Sequence, residues 1–194
     1  MKDRKKQRLP GFNYSTDGAY FVTVCVQNMQ YCFGNVENET MALNQTGKIV
    51  DHQWNWIFEQ YAYVHRDEFV VMPNHVHGIL HIAENGLATR TGGRNLDVGN
   101  GRDRSLQAQK IKTISELIGA FKTTSSKMIH LAGQTDFKWQ KSYYDRVLRN
   151  ERELHLTREY IVNNPKAWEL DKNNPDINGN KLFLIGSSRG DFAP

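Results

Sequence analysis

The chain has 194 residues, 39% hydrophobic and 24% charged, which fits one soluble globular domain and excludes a wholly disordered polypeptide. Lys and Arg number 25 against 21 Asp and Glu, a net +4, and Met1 to Pro10 carries all of it, with Lys2, Arg4, Lys5, Lys6 and Arg8 against Asp3. Two cysteines with no CxxC pair exclude a disulfide framework and a cysteine-type zinc site, and no apolar run nears the roughly 20 residues of a membrane span.

The N-terminus is charged with no apolar stretch behind it, unlike a signal peptide, so a reducing cytoplasmic setting is expected. Residues 1–10 read as a basic arm suited to a phosphate backbone, where Lys and Arg displace condensed counterions; a solvated terminus explains the same composition. Ala19 to Asn28, AYFVTVCVQN, is rich in β-branched and aromatic residues and predicts a strand buried on both faces. From Leu43 to Tyr61, Ile49, Val50, Trp54, Ile57 and Phe58 recur near helical spacing, with Asn44 or Thr46 as the N-cap.

Ala62 to Met72 and His75 to Ala83 read as two strands joined at Pro73-Asn74, a hairpin. Glu84 to Ser105, glycine-rich and poor in large apolar residues, reads as a long mobile loop. Gln107 to Leu131 aligns Ile111, Ile114, Leu117, Ile118 and Phe121 on one face of a mildly basic helix. Phe137 to Asn150 reads as a fourth strand, and a third helix opens at Asn150 with Glu153 in capping-box position and runs towards Asn163 before Pro165. Beyond Leu170 the tail is polar and weakly patterned, apart from LFLIG at Leu182 to Gly186.

The first six elements predict an α+β, ferredoxin-like split βαβ fold, with an antiparallel four-stranded sheet, two helices and an added C-terminal helix. The expected organisation is an arm at 1–10, a domain over 11–170 and a tail at 171–194.

Alternation along a strand points His75 and His77 to one side and Val76 and Gly78 to the other, so the two rings can converge on one divalent ion. Polar decoration of a half-exposed strand explains a lone His-x-His about as well. On the third helix Tyr160 and Asn164 are four apart and share a face, so a phenol and an amide can approach the same site. Taken singly, a packed aromatic and a helix-terminal Asn explain them better.

MPNHVHGIL resembles the histidine-hydrophobic-histidine motif of the single-tyrosine transposases, and WQKSYYDRVLRNERELHLTREYIVNNPKAW, Trp139 to Trp168, is similar to the C-terminal signature of the REP-associated tyrosine transposases. The likeness runs roughly from Gly11 to Trp168; the Gly-rich insert and the tail depart from it. The resemblance implies His75 and His77 as ligands of Mg²⁺ or Mn²⁺, Asn164 as a third ligand, and Tyr160, on the added helix, as the catalytic nucleophile. It further implies a metal-dependent single-stranded DNA endonuclease and strand transferase that forms a 5′-phosphotyrosine on hairpin-containing DNA such as repetitive extragenic palindromes, in the cytoplasm and associated with the nucleoid.

For DNA contact the candidates are the five cations of the arm, Lys110, Lys112, Arg146 and Arg149 on the backbone, and Trp139, Tyr143 and Tyr144 stacking on unpaired bases, although for each residue alone a core aromatic or a solvated charge explains it better. Tyr143 and Tyr144 are also the nearest rivals to Tyr160 as nucleophile. Two other classes stand beside this reading: a non-catalytic DNA-binding protein retaining the fold, and a metal-dependent hydrolase using an activated water. No membrane partner is expected, and monomer and homodimer are both open.

Overall fold

The computed structural model describes residues 17–83 and 111–176. The basic arm with Lys2, Arg4, Lys5, Lys6 and Arg8, the Gly-rich segment 84–105, Lys110 and the LFLIG stretch lie outside the described residues. Strand β1 (Gly18–Cys25) is an inner strand, and its Tyr, Phe and β-branched residues are buried on both sides. It opens a chain of strands and helices in which β2 (Gly34–Glu37) and β3 (Thr40–Leu43) form a separate small hairpin.

Helix α1 (Gln45–Gln60) follows, and its N-cap is Asn44, whose side chain accepts from the Gly47 N–H at 2.9 Å. Strands β4 (Val64–Val71) and β5 (His75–Ile82) are the expected hairpin, followed by α2 (Ile114–Leu131), β6 (Tyr144–Leu148) and α3 (Glu151–Asn163). The main sheet runs β4-β5-β1-β6 with every neighbouring pair antiparallel, which is the ferredoxin-like order of an α+β protein.

The two faces of this sheet have different coverings. Tyr20, Val22 and Val24 of β1 with Val76, Leu80 and Ile82 of β5 meet α1 through Val50, Trp54 and Ile57 and α2 through Ile114, Leu117, Ile118 and Phe121. The alternate residues, Phe21 of β1 and Ile79 of β5, meet α3 through Leu154 and Ile161. Gly78 is required where α1 crosses β5: a Cβ there would lie 2.4 Å from the Trp54 ring, which stacks on Phe69 at 4.5 Å.

Two expected boundaries shift, and one expected cap changes its partner. Helix α2 starts at Ile114, where Thr113 and Glu116 close a capping box; Ile111 and Lys112 precede it outside any helix or strand. Strand β6 begins at Tyr144, because Phe137 and Trp139 drop into the core beside Phe33 and Phe121. The start of α3 is capped by Asn150 accepting from Glu153 N–H at 2.9 Å, yet the Glu153 carboxylate turns to Arg146 at 3.1 Å and to the Arg149 N–H. Beyond α3, Pro165 leads into a short 3₁₀ turn (Trp168–Leu170) and then into a fastened segment, although the sequence pattern weakens there. Among the described residues no helix is long and apolar enough to cross a membrane.

Candidate metal and tyrosine site

Because β5 alternates, Val76 joins the core under α1 and α2 while His75 and His77 leave the sheet on the side covered by α3. Both imidazoles are fully buried, so neither decorates an exposed strand. His75 Nδ1–H donates to Asn74 Oδ1 at 2.8 Å, which leaves the neutral ring's lone pair on Nε2. That nitrogen faces His77 Nε2 at 2.9 Å, and His77 Nδ1 is 2.8 Å from Thr23 Oγ1, a hydroxyl able to donate or accept. Burial lowers the pKa of His75 to about 4 and that of His77 well below its ordinary value, so both are neutral at pH 7.

Helix α3 brings Tyr160 to the pair. Its hydroxyl lies 3.2 Å from His77 Nε2, and its ring stands edge-on to Phe21, which itself stacks on His77. Tyr160 is 43% exposed and borders a groove of about 550 Å³. Burial of the hydroxyl, then the negative charge of Asp171, pushes its pKa up to about 12 against a hydrogen bond to Asn164 that lowers it. The resting group is therefore a phenol.

Asp171 is the residue that sequence reasoning missed. One ligand atom each from His75, His77 and Asp171 lies within 4.8 Å of the others, and all three residues are buried. Asp171 Oδ2 stands 3.9 Å from His75 Nε2. Asn164, one turn beyond Tyr160 and 2% exposed, donates from Nδ2 to Asp171 Oδ2 at 3.1 Å and leaves its buried Oδ1 without a partner.

This donor set fits a divalent cation. Two neutral imidazoles, a carboxylate and an unsatisfied amide oxygen are the nitrogen and oxygen ligands such ions take. Metal–nitrogen bonds of about 2.1 Å place neighbouring ligands about 3 Å apart, and the two histidine nitrogens are 2.9 Å apart.

The remaining candidates divide. Tyr144, 40% exposed, and Arg146 border the same groove. Tyr143 packs against the core and hydrogen-bonds to Ser115 Oγ at 3.1 Å, so its hydroxyl lies elsewhere. Trp139 is a correction: it is 8% exposed, ringed by Phe33, Phe121 and Phe137, with its indole N–H on Ser125, so no face is open to a base. Arg149 borders a second cleft beside Asp67 and Arg158, and the Lys112 ammonium sits 5.9 Å above the centre of the Tyr61 ring. His81 shares the parity of His75 and His77 but binds Asp67 at 2.6 Å instead.

Sheet order and site geometry together define an α+β protein with a histidine-aspartate cluster beside a tyrosine helix. No protein-family profile matches the sequence. An uncharacterized protein of Haemophilus influenzae is 34% identical over 169 residues, 87% of this chain and 92% of that protein, and the chain belongs to its family. Among solved structures, a REP-associated tyrosine transposase bound to a REP hairpin is similar in fold, with a TM-score of 0.53 at 16% identity over 89% of this chain and 77% of that one.

Proposed function

We propose that the chain is a metal-dependent single-stranded DNA endonuclease and strand transferase of the transposase type, acting on hairpin-containing DNA such as repetitive extragenic palindromes. The observation that carries this reading is the approach of Tyr160 Oη to 3.2 Å from His77 Nε2, at the edge of the His75, His77 and Asp171 cluster. His75 Nε2, His77 Nε2 and an Asp171 carboxylate oxygen would hold Mg²⁺ or Mn²⁺, with Asn164 Oδ1 as a further donor. A divalent cation bound there supplies Lewis acidity to a non-bridging phosphate oxygen and offsets the negative charge facing the phenol.

Tyr160 Oη then attacks the phosphorus and the bond to the 3′ oxygen breaks. The phenol gives up its proton and the departing 3′ oxygen takes one up, leaving a 5′-phosphotyrosine and a free 3′-OH. One phosphoester replaces another, so the reverse step rejoins strands without a nucleotide cofactor. Phe21 holds the phenol ring edge-on, Tyr144 offers an exposed ring to an unpaired base, and Arg146 and Lys172 border the groove where the backbone would run.

The test is incubation with Mn²⁺ and a single-stranded hairpin oligonucleotide followed by a denaturing gel. Wild type is expected to give a protein-DNA adduct that Tyr160→Phe lacks. Cleavage with no adduct, persisting in Tyr160→Phe, would instead support a hydrolase with an activated water.

A further inference from the structure

Asn74 is fully buried in the turn between β4 and β5, and both polar atoms of its side chain are engaged. Its Oδ1 accepts from His75 Nδ1–H at 2.8 Å. Its Nδ2 donates to two carbonyls, Met29 at 3.1 Å and Asn173 at 2.8 Å. The first contact orients an imidazole of the cluster. The last one fastens the segment that carries Asp171, since Asn173 N–H in turn donates to Asp171 Oδ1 at 2.6 Å.

We propose that Asn74 is the positioning residue of the metal centre, fixing two of its donors from one side chain: it turns the His75 lone pair inward and latches the Asp171 segment over the imidazoles. This rests on the metal reading of the His75, His77 and Asp171 cluster. The amide is the one side chain of this size that satisfies both demands, an acceptor towards the ring and donors towards the carbonyls. Asp keeps the acceptor and loses the donors; Ala loses both. The latch also has a second fastener, because Tyr31 OH donates to Asn174 Oδ1 at 2.8 Å.

The experiment measures Mn²⁺ binding by electron paramagnetic resonance of the free ion, on full-length wild type, Asn74→Asp, Asn74→Ala and His75→Ala, with unfolding curves in chelator as a check on folding. Partners behind metal ligands typically matter by 10- to 100-fold in affinity, so Asn74→Asp is expected to weaken binding about 10-fold and Asn74→Ala about 100-fold. A second measurement needs no variant: ¹⁵N spectra of the metal-free wild type at pH 7.5 are expected to show His75 protonated on Nδ1. Wild-type affinity in folded Asn74→Asp and Asn74→Ala, or a His75 proton on Nε2, overturns the role of Asn74 while leaving the metal reading in place. A wild type that takes up no Mn²⁺ overturns the metal reading and this inference with it.

Discussion

At the scale of single residues, two buried histidines of the site are held neutral. In the metal-free protein His75 has a pKa of about 4 and His77 lies well below its ordinary value, because burial disfavours the cation. The unfolded chain titrates these rings near the model-peptide value of about 6.5. Between that pH and about 4 the unfolded state binds protons that the folded state refuses, so stability rises with pH across the window. It is complete above about pH 6.5 and falls as the medium is acidified through the window. Urea midpoints in chelator at pH 7.5, 6 and 5 are expected to decline in that order. A midpoint flat over this range would contradict neutral burial of the pair.

Secondary-structure elements place the tyrosine. Helix α3 is held to β4 by Arg158, which donates from two nitrogens to Asp67 at 2.8 and 2.6 Å, while His81 of β5 lies 2.6 Å from the same carboxylate. Burial raises the pKa of Asp67, but the hydrogen bonds from Arg158, His81 and the Glu68 N–H outweigh it and hold the carboxyl well below the usual range. Asp67 lies where the β4-β5 register slips between Arg66 and Phe69. Arg158 is two residues from Tyr160, so the pairing anchors the helical turn that carries the phenol. Asp67→Asn keeps the volume and loses the charge; because the Arg158 side chain is 39% exposed and can be rehydrated, the expected cost is about 1 kcal/mol. A small displacement of a reacting group costs far more in rate than in stability, so adduct formation is expected to slow about 10-fold with oligonucleotide affinity unchanged. Single-turnover adduct kinetics beside anisotropy titrations check this; an unaltered rate would free α3 placement from the Asp67 pairing.

The same elements show what the sequence made legible. The strand and helix order came from hydrophobic periodicity, and the convergence of His75 with His77 and of Tyr160 with Asn164 came from the periods of strand and helix. The β2-β3 hairpin was not legible because its turn, Asn38-Glu39, takes positive φ at both residues (49° and 62°) with Glu where a glycine would have signalled it. Trp139 stood among the candidates for stacking on bases, and its burial bears out the core aromatic that explained it better on its own, because residue type carries no exposure. Asp171 left no periodic trace: its burial comes from long-range fastening of a polar segment by Asn74 and Tyr31.

For the whole molecule, the tyrosine and the histidines that face each other belong to one chain. An approach of 3.2 Å within one chain leads us to expect the proposed reaction to proceed within a single subunit. Mixing Tyr160→Phe with His77→Ala is expected to leave adduct formation at background, whereas recovery of activity would require a tyrosine exchanged between subunits. The division of labour across the sheet supports the same view. One face, under α1 and α2, carries most of the core, and the opposite face carries the cluster and α3, so the site is assembled by the fold itself.

The most direct measurement is peptide mapping of the covalent product. After reaction with Mn²⁺ and a hairpin oligonucleotide, nuclease trimming and proteolysis, mass spectrometry is expected to find the nucleotide remnant on the peptide containing Tyr160, joined through a 5′ phosphate. A remnant on Tyr143 or Tyr144, or a cleaved strand with no remnant on the protein, would contradict the account.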